Sequence, residues 1–268
     1  MRDITDLTRT LLATKGVNQP LPSADPDFDL DSSYKVAHGL RAAQSKQGKK
    51  LVGRKIGISN RAAWGKMGLS DVVWGYVFDD MVFEAEDNRY TLSLDGLHAP
   101  KLEPEIVFGL NSELSTGTRD PVELLQAVEW LALGFEVVQN PYPDWQFKPA
   151  DLFATFWFHG ALVLGSKVRL EGMSLSRLAG TLAETVATLY KDDVVVAEGS
   201  GANVVDSPAV ALGHIADLIA NDSEAAPLQA VEFITTCTLT DAPAVAAGET
   251  YRVEVTGLDL PPLTLSFS

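Results

Sequence analysis

The stretch Lys101-Leu-Glu-Pro-Glu-Ile-Val-Phe108 constrains the fold most, because it places Glu103 and Glu105 two residues apart in a segment with the apolar character of a buried strand. Side chains i and i+2 of a strand point to the same face, so both carboxylates converge on one place. Two like charges in apolar surroundings repel each other unless a cation neutralises them, and a hard divalent metal ion suits such a pair. The alternative is an edge strand whose glutamates face water, with Pro104 where no ladder hydrogen bond is needed.

A third carboxylate has a similar setting. The stretch Trp130-Leu-Ala-Leu-Gly-Phe-Glu-Val-Val138 carries Glu136 as its only charge, and we expect a helix to end at Gly134 and an apolar strand to follow. Three carboxylates in apolar strands are the composition of an oxygen-only Mg²⁺ or Mn²⁺ site that leaves positions for water or substrate. Glu103, Glu105 and Glu136 are therefore the candidate metal ligands.

Composition limits the classes of protein to consider. The chain has 268 residues and is 46% hydrophobic, enough for one substantial core, and we expect a single catalytic domain over residues 1–268. Within it, residues 1–50 are expected to form a helical segment and residues 51–268 a β-rich metal-binding core. A net charge of -15, with one short basic run at Lys46–Lys50, argues against nucleic acid or an anionic membrane as a partner.

Cysteine usage and hydropathy indicate the compartment. Cys237 is the only cysteine, which excludes an intramolecular disulfide framework and a cysteine-rich zinc site. The N-terminal residues carry acids where a signal peptide needs a basic and then an apolar region, and no apolar stretch approaches a membrane span. We therefore expect a cytoplasmic protein with no membrane segment.

Periodicity predicts an α+β architecture with peripheral helices. The strongest start signal belongs to the helix at 121–133, with Asp120 as N-cap and Pro121 at its first position. Helices are predicted at 3–15, 31–48, 59–67, 121–133 and 208–219, and strands at 160–164, 183–190, 194–197, 233–238 and 250–256.

Two further polar residues stand in apolar surroundings. Lys55 lies in an apolar run, where an ammonium is costly unless it faces a carboxylate or an anionic ligand. The alternative is a lysine that reaches solvent beside Arg54. His159 follows a Phe-Trp-Phe run and is expected to be semi-buried, either as a functional group or as a satisfied core histidine. The aromatic residues before it, with Trp74, either line a pocket or fill the core.

Several motifs together resemble a known family, the 2-oxopent-4-enoate hydratase and 4-oxalocrotonate decarboxylase group of the fumarylacetoacetate hydrolase superfamily. The resemblance runs from about Leu11 to the C-terminus. The motifs that carry it, in order, are Gly53-Arg-Lys-Ile-Gly57, Gly75-Tyr-Val-Phe-Asp-Asp-Met81, Leu102-Glu-Pro-Glu-Ile106, Phe135-Glu-Val-Val138, Asp144-Trp145 and Asp151.

The resemblance implies a fumarylacetoacetate hydrolase-like mixed β-sheet roll or sandwich, with the three glutamates on Mg²⁺ or Mn²⁺ and Lys55 beside the substrate. Asp80 matches the family's usual aspartate, and with Lys55 and His159 it completes the expected catalytic residues. The expected substrate-binding residues are Trp74, Phe156, Phe158 and Thr236. The chain departs from the family at Val73, where the hydratases commonly carry an aspartate, and this departure weakens the hydratase interpretation.

The resemblance also implies the activity. We expect a divalent-metal-dependent lyase, of the hydratase or decarboxylase type, that acts on a small and unsaturated 2-oxo acid through a metal-chelated enolate. One alternative is a hydrolase of acylpyruvate-type C–C bonds with His159 as the water-activating base. Another is a non-catalytic partner subunit, because hydratases and decarboxylases of this family associate. We expect a homo-oligomer, with a complex with a related hydratase or decarboxylase as a further option.

Overall fold

A computed structural model describes the backbone of residues 30–268 and the side chains of residues 32–268, apart from those of Pro143, Phe153, Ala154 and Phe156. The helix predicted at 3–15 lies outside this range. The helices are α1 (Leu30–Lys46), α2 (Arg61–Met67), α3 (Pro121–Leu125), α4 (Pro149–Ala154), α5 (Leu175–Glu184) and α6 (Pro208–Ala220). Short 3₁₀ turns occur at Asp79–Met81, Pro143–Trp145, Phe156–Phe158 and Gly201–Asn203.

The strands form two mixed sheets. Their bounds are β1 (Leu51–Gly57), β2 (Val73–Phe78), β3 (Val82–Glu84), β4 (Arg89–Leu92), β5 (Lys101–Leu110), β6 (Val128–Val138), β7 (His159–Leu164), β8 (Val168–Arg169), β9 (Val186–Lys191), β10 (Val194–Ser200), β11 (Phe233–Thr235), β12 (Thr250–Val255) and β13 (Leu263–Phe267). The larger sheet has the order β2-β1-β11-β5-β6-β7-β3, with β8 paired to β6, and the smaller has the order β10-β9-β12-β13-β4. Strands with peripheral helices confirm the predicted α+β class.

The centre of the larger sheet is the long antiparallel pair β5 and β6, which aligns Lys101 with Val138 at one end and Leu110 with Val128 at the other. Every residue of β5 from Pro104 onward is buried, and so is β6 from Leu131 onward. Because both faces of these strands are covered, they read as continuous apolar runs rather than as alternating patterns. This pair forms the floor on which the polar site is built.

The prediction of a helix over residues 121–133 is correct only for its first five residues. Asp120 caps α3 as expected, by accepting a hydrogen bond from the Val122 amide, but the helix ends at Leu125 and β6 begins at Val128. The apolar residues of this segment fit a helical stripe and a strand buried on both faces equally well, and tertiary pairing decided between them. Gly134 is therefore in the middle of a strand and ends no helix.

Two other predicted boundaries were also wrong. The strand predicted at 183–190 overlaps the end of α5, a helix that the sequence analysis missed although Ser174 caps it and Leu178 and Leu182 form its buried stripe. The strand predicted at 233–238 ends at Thr235, because the chain turns sharply at Cys237, where φ is 79°. Within the described residues, no helix has the length and apolar character needed to cross a membrane.

The position of Gly134 yields a stability test. A Cβ on Gly134 would lie 2.7 Å from Val107 Cγ2, a contact that the packed sheet cannot accept without a shift. We expect Gly134→Ala to lower the free energy of unfolding by about 1–3 kcal/mol. The matched control is Gly180→Ala in α5, where nothing lies within 4 Å of the added Cβ. This change should raise stability by about 0.5–1 kcal/mol. Urea unfolding of both variants measures the difference, and equal effects would refute the placement of Gly134.

Candidate active site

Three carboxylates meet on one face of the larger sheet. Glu103 and Glu105 share a face of β5 because they are two residues apart, and Glu136 of β6 lies directly opposite Glu103 in the register. One carboxylate oxygen of each residue lies within 4.8 Å of the other two. Glu105 and Glu136 are fully buried, and Glu103 is half-buried. The geometry therefore brings together the three residues predicted as metal ligands.

Lys55 and His159 converge on Glu136 from two different strands. Lys55 Nζ of β1 donates to Glu136 Oε1 and to the Trp157 carbonyl oxygen, the latter at 3.1 Å. His159 Nδ1, at the start of β7, lies 2.7 Å from the same Glu136 oxygen. Lys55 and His159 are 5% and 2% exposed, so this contact is shielded from solvent. The alternative of a solvent-reaching Lys55 is wrong.

The three carboxylates differ in their acidity. Burial raises the pKa of Glu136, but the Lys55 ammonium and the His159 hydrogen bond outweigh it and lower the pKa to about 2. Burial and the charge of Glu136 raise the pKa of Glu103 to about 7. Burial, Glu136 and Glu103 raise the pKa of Glu105 well above its usual range. Burial lowers the pKa of Lys55, but the charges of the three glutamates raise it by more. The net shift of the pKa is upward, so the lysine stays charged.

The donor set fits a divalent cation. Glu105 Oε2 accepts the Cys237 backbone N–H at 3.1 Å, whereas Glu105 Oε1 and Glu136 Oε2 are buried and accept no hydrogen bond from any residue that the structure describes. A buried carboxylate oxygen without a hydrogen-bond donor is energetically costly. A cation between the carboxylates would bind both of these oxygens and reduce the repulsion between their charges. Oxygen ligands alone favour Mg²⁺, Mn²⁺ or Ca²⁺ over softer metals.

An apolar cavity of about 140 Å³ opens beside the carboxylates. Its polar side chains are those of Lys55, Glu103 and Cys237, and half of the other lining residues are aromatic. The aromatic lining residues are Trp74, Trp145, Phe147, Trp157 and Phe158. Trp74 and Phe158, which were predicted to bind substrate, therefore line this cavity. The side chain of Phe156, the third predicted aromatic residue, is outside the described part of the structure. The wall is suited to an apolar part of a ligand whose oxygens reach the carboxylate end.

Two predicted site residues lie elsewhere. Asp80 is on the surface, where its carboxylate forms an ion pair of 2.6 Å with Lys49 beside a separate cavity. The Thr236 hydroxyl is buried and donates to the Ile106 carbonyl oxygen at 2.8 Å, so it serves the backbone turn after β11. Neither side chain lines the cavity beside Glu103. Matching these positions to a family motif was insufficient, because the motif fixes where the backbone lies and not where the side chain points.

The sequence analysis missed Cys237, Trp145 and Phe147 as lining residues. Trp145 and Phe147 lie between β6 and α4 in an irregular segment, where no periodicity assigns a direction to a side chain. The sequence analysis assigned Cys237 no part in the site, and its place beside the carboxylates follows from the turn after β11. The Asp144-Trp145 motif was the one signal that could have indicated this wall.

The architecture has close structural relatives, although no family model matches the chain. The structure superposes on 4-oxalocrotonate decarboxylase from Pseudomonas putida G7, complexed with magnesium and adipate, with a TM-score of 0.87, 22% identity, and 99% and 97% of the two chains covered. Fumarylpyruvate hydrolase from Pseudomonas aeruginosa, in complex with Mn²⁺ and pyruvate, follows with a TM-score of 0.61, 15% identity, and 81% and 88% covered. The chain therefore has the fold of these solved structures, which confirms the predicted fold class.

Sequence relatives narrow the class. The chain is 30% identical to 2-keto-4-pentenoate hydratase of Paraburkholderia xenovorans (strain LB400), over 89% of this chain and 85% of the relative. It is also 30% identical to 4-oxalocrotonate decarboxylase of a Pseudomonas species, over 96% and 93%. The chain belongs to the 2-keto-4-pentenoate hydratase and 4-oxalocrotonate decarboxylase family. This confirms the predicted family, and with it the prediction that the protein is a lyase.

The carboxylate cluster generates a binding test. We expect the protein to bind about one Mn²⁺ or Mg²⁺ per chain, because three converging carboxylates supply its oxygen ligands. Glu105→Gln should weaken binding by at least about 100-fold, since it removes one ligand charge from the cluster. Glu198→Gln, the same change at an exposed position of β10, is the control and should bind as the wild type does. Titration calorimetry compares the three proteins, and equal affinities would remove the cation from this site.

Proposed function

We propose that this protein is a Mg²⁺- or Mn²⁺-dependent lyase that acts on a small 2-oxo acid. The observation that carries the proposal is the meeting of three carboxylates and a buried lysine at the end of an apolar cavity. Structural relatives complexed with magnesium, or with Mn²⁺ and pyruvate, support the choice of cation and of a 2-oxo acid. Relatives named as hydratases and as a decarboxylase support the lyase reaction.

The residues of this chain have distinct parts in the proposed reaction. Glu103, Glu105 and Glu136 hold the cation, which when bound supplies Lewis-acid polarisation of the substrate's 2-oxo group. Lys55 points its ammonium into the same cavity, fixed by Glu136 and the Trp157 carbonyl. A charged donor fixed in a site of low dielectric constant stabilises negative charge that develops on a substrate oxygen. The aromatic wall excludes water and so strengthens that interaction.

His159 is proposed to position Glu136. Its side chain is 2% exposed, and its Nδ1 lies at hydrogen-bond distance from the carboxylate. A water-activating base must reach water beside the substrate, and this buried placement argues against His159 as the base of the C–C hydrolase. The hydrolase is retained as an outcome of the activity test, as is the non-catalytic partner subunit.

The reaction type is decided by products. Purified protein with added Mg²⁺ or Mn²⁺ is incubated with short unsaturated and saturated 2-oxo acids, and enol absorbance and product mass are followed. A hydrated keto acid identifies a hydratase, loss of CO₂ a decarboxylase, and a free carboxylic acid from C–C cleavage a hydrolase. Metal binding without turnover of any vinylogous 2-oxo acid would identify a non-catalytic subunit.

Four other expectations from the sequence stay predictions. They are the homo-oligomer, the complex with a related enzyme, the single catalytic domain with its helical segment over residues 1–50, and the cytoplasmic location.

The position of Lys55 generates a kinetic test. We expect Lys55→Ala to lower kcat by on the order of 100-fold or more, because about 3 kcal/mol of charge stabilisation is lost from the chemical step. KM should change less than kcat if the lysine acts mainly on developing charge. Lys66→Ala, on the exposed face of α2, is the control and should keep wild-type activity. A Lys55→Ala enzyme with near-normal kcat would exclude this residue from the reaction.

The cavity wall generates a substrate prediction. Lys55 is the only cationic side chain among the described residues that line the cavity, and Glu136 already pairs with it. A second carboxylate on the substrate would be desolvated against aromatic rings without a partner. We therefore expect 2-oxo acids with an apolar tail to have higher kcat/KM than analogues of equal length that end in a carboxylate. Each buried methylene should add roughly 0.8 kcal/mol. A preference for the carboxylate tail would mean that the rings serve as core and do not contact substrate.

A further inference from the structure

The cavity wall holds an unusual concentration of left-handed backbone. Five of the lining residues are not glycine and yet have positive φ angles between 54° and 79°. These are Ile58, Trp145, Trp157, Phe158 and Cys237. Such conformations cost energy in residues other than glycine, and they persist where the surrounding structure demands one direction of the side chain. The direction of these side chains is therefore part of how the cavity is built.

Cys237 is the one of these five residues whose hydrogen bond to a carboxylate of the cluster the structure describes. Its backbone N–H donates to Glu105 Oε2 at 3.1 Å, and its side chain lines the cavity beside Glu103. The Cys237 side chain is 7% exposed and packs in the hydrophobic core, so its position is fixed by its neighbours. A fixed side chain at this point takes up space beside Glu103 and limits the width of the cavity there.

We propose that Cys237 is a specificity-determining residue that excludes substrates branched at the carbon next to the 2-oxo group. The inference rests on the proposed function, because a 2-oxo acid with its oxygens at the carboxylate end brings that carbon beside Cys237. The φ of 79° directs Cβ and Sγ into the cavity while the same residue's amide fixes Glu105. One residue thus orients a candidate ligand of the cation and limits the width of the space next to it.

Two isomeric ligands test the proposal without turnover. 2-Oxopentanoate and 3-methyl-2-oxobutanoate have the same composition, but the first has a straight carbon chain and the second is branched at the carbon next to the 2-oxo group. Calorimetry in saturating Mn²⁺ gives the ratio of their dissociation constants for each protein. In the wild type, the straight isomer should bind about tenfold more tightly, because a misplaced methyl group in a fixed apolar wall costs about this factor.

Substitution of Cys237 should change this ratio in order of side-chain size. Cys237→Gly should reduce the ratio to about twofold, and Cys237→Ala should give an intermediate value. Glycine accepts the positive φ freely, and both variants retain the backbone N–H that binds Glu105. Val231→Gly is the matched control, since Val231 also has a positive φ of 76° but is 90% exposed. Its amide bonds to Leu110, five residues along β5 from Glu105 and roughly 17 Å away. This control should keep the wild-type ratio.

The outcomes separate the two proposals. A ratio in Cys237→Gly and Cys237→Ala equal to that of the wild type, or a wild-type ratio near one, overturns the role of Cys237 and leaves the proposed function intact. Failure of both isomers to bind any of the four proteins, while Mn²⁺ itself binds, overturns the proposed function and this inference with it. If the glycine variant does not fold, the alanine variant decides the matter, and its ratio must fall by at least about threefold.

Discussion

The contact between Lys55 and Glu136 is the interaction on which the rest of the structure depends. In the strand order, β11 and β5 lie between β1 and β6. Three strand spacings in a flat sheet amount to about 14 Å, and strand side chains stand roughly perpendicular to the sheet, so a lysine and a glutamate could not meet across that distance. The direct contact therefore requires a strongly curled sheet, and the curl creates the enclosed space that the carboxylates and the cavity occupy. Loss of one partner of such a buried pair typically costs about 3–5 kcal/mol.

The strand that carries Lys55 buries a second cation on its opposite face. Arg54 is fully buried, forms an ion pair with Glu232, and lies 4.8 Å from the centre of the Tyr76 ring. Adjacent strand residues point to opposite faces, so two neighbouring basic residues enter two different buried environments. On the inner side, Glu105 and Glu136 each keep one buried oxygen that accepts no hydrogen bond within the described part of the chain, whereas Arg54 and Glu232 pair with each other on the outer side. One face of β1 thus carries Lys55 to the carboxylate cluster, and the other carries Arg54 to an ion pair that supports the fold.

Local periodicity explains which parts of the site could be predicted. Glu103 and Glu105 were found because the two-residue period of a strand depends only on the chain itself. Lys55 and Glu136 were found because a charge in an apolar run needs a partner, whatever the fold. The strand from Val128 was mistaken for a helix because a doubly buried strand has no alternation. The side chains of Asp80 and Thr236 lie away from the cavity, and the sequence could not show this. The direction of a side chain at a turn depends on tertiary contacts that no local pattern encodes. The family resemblance supplied the fold, but apart from the Asp144-Trp145 motif it held no signal for the lining by Cys237, Trp145 and Phe147.

The place of β11 in the sheet has a consequence for how the molecule is assembled. This three-residue strand comes late in the chain, yet it pairs in parallel with β1 and antiparallel with β5. It holds the lysine strand and the carboxylate strand in one sheet, although it contributes none of the charged groups itself. Contacts between residues so distant in sequence form slowly, because the loop closure entropy is paid before the contact stabilises the chain. During synthesis, the three glutamates of the cluster, Lys55 and His159 are all made before β11. The chain would still lack the enclosed site until residues 233–235 are made and pair between β1 and β5.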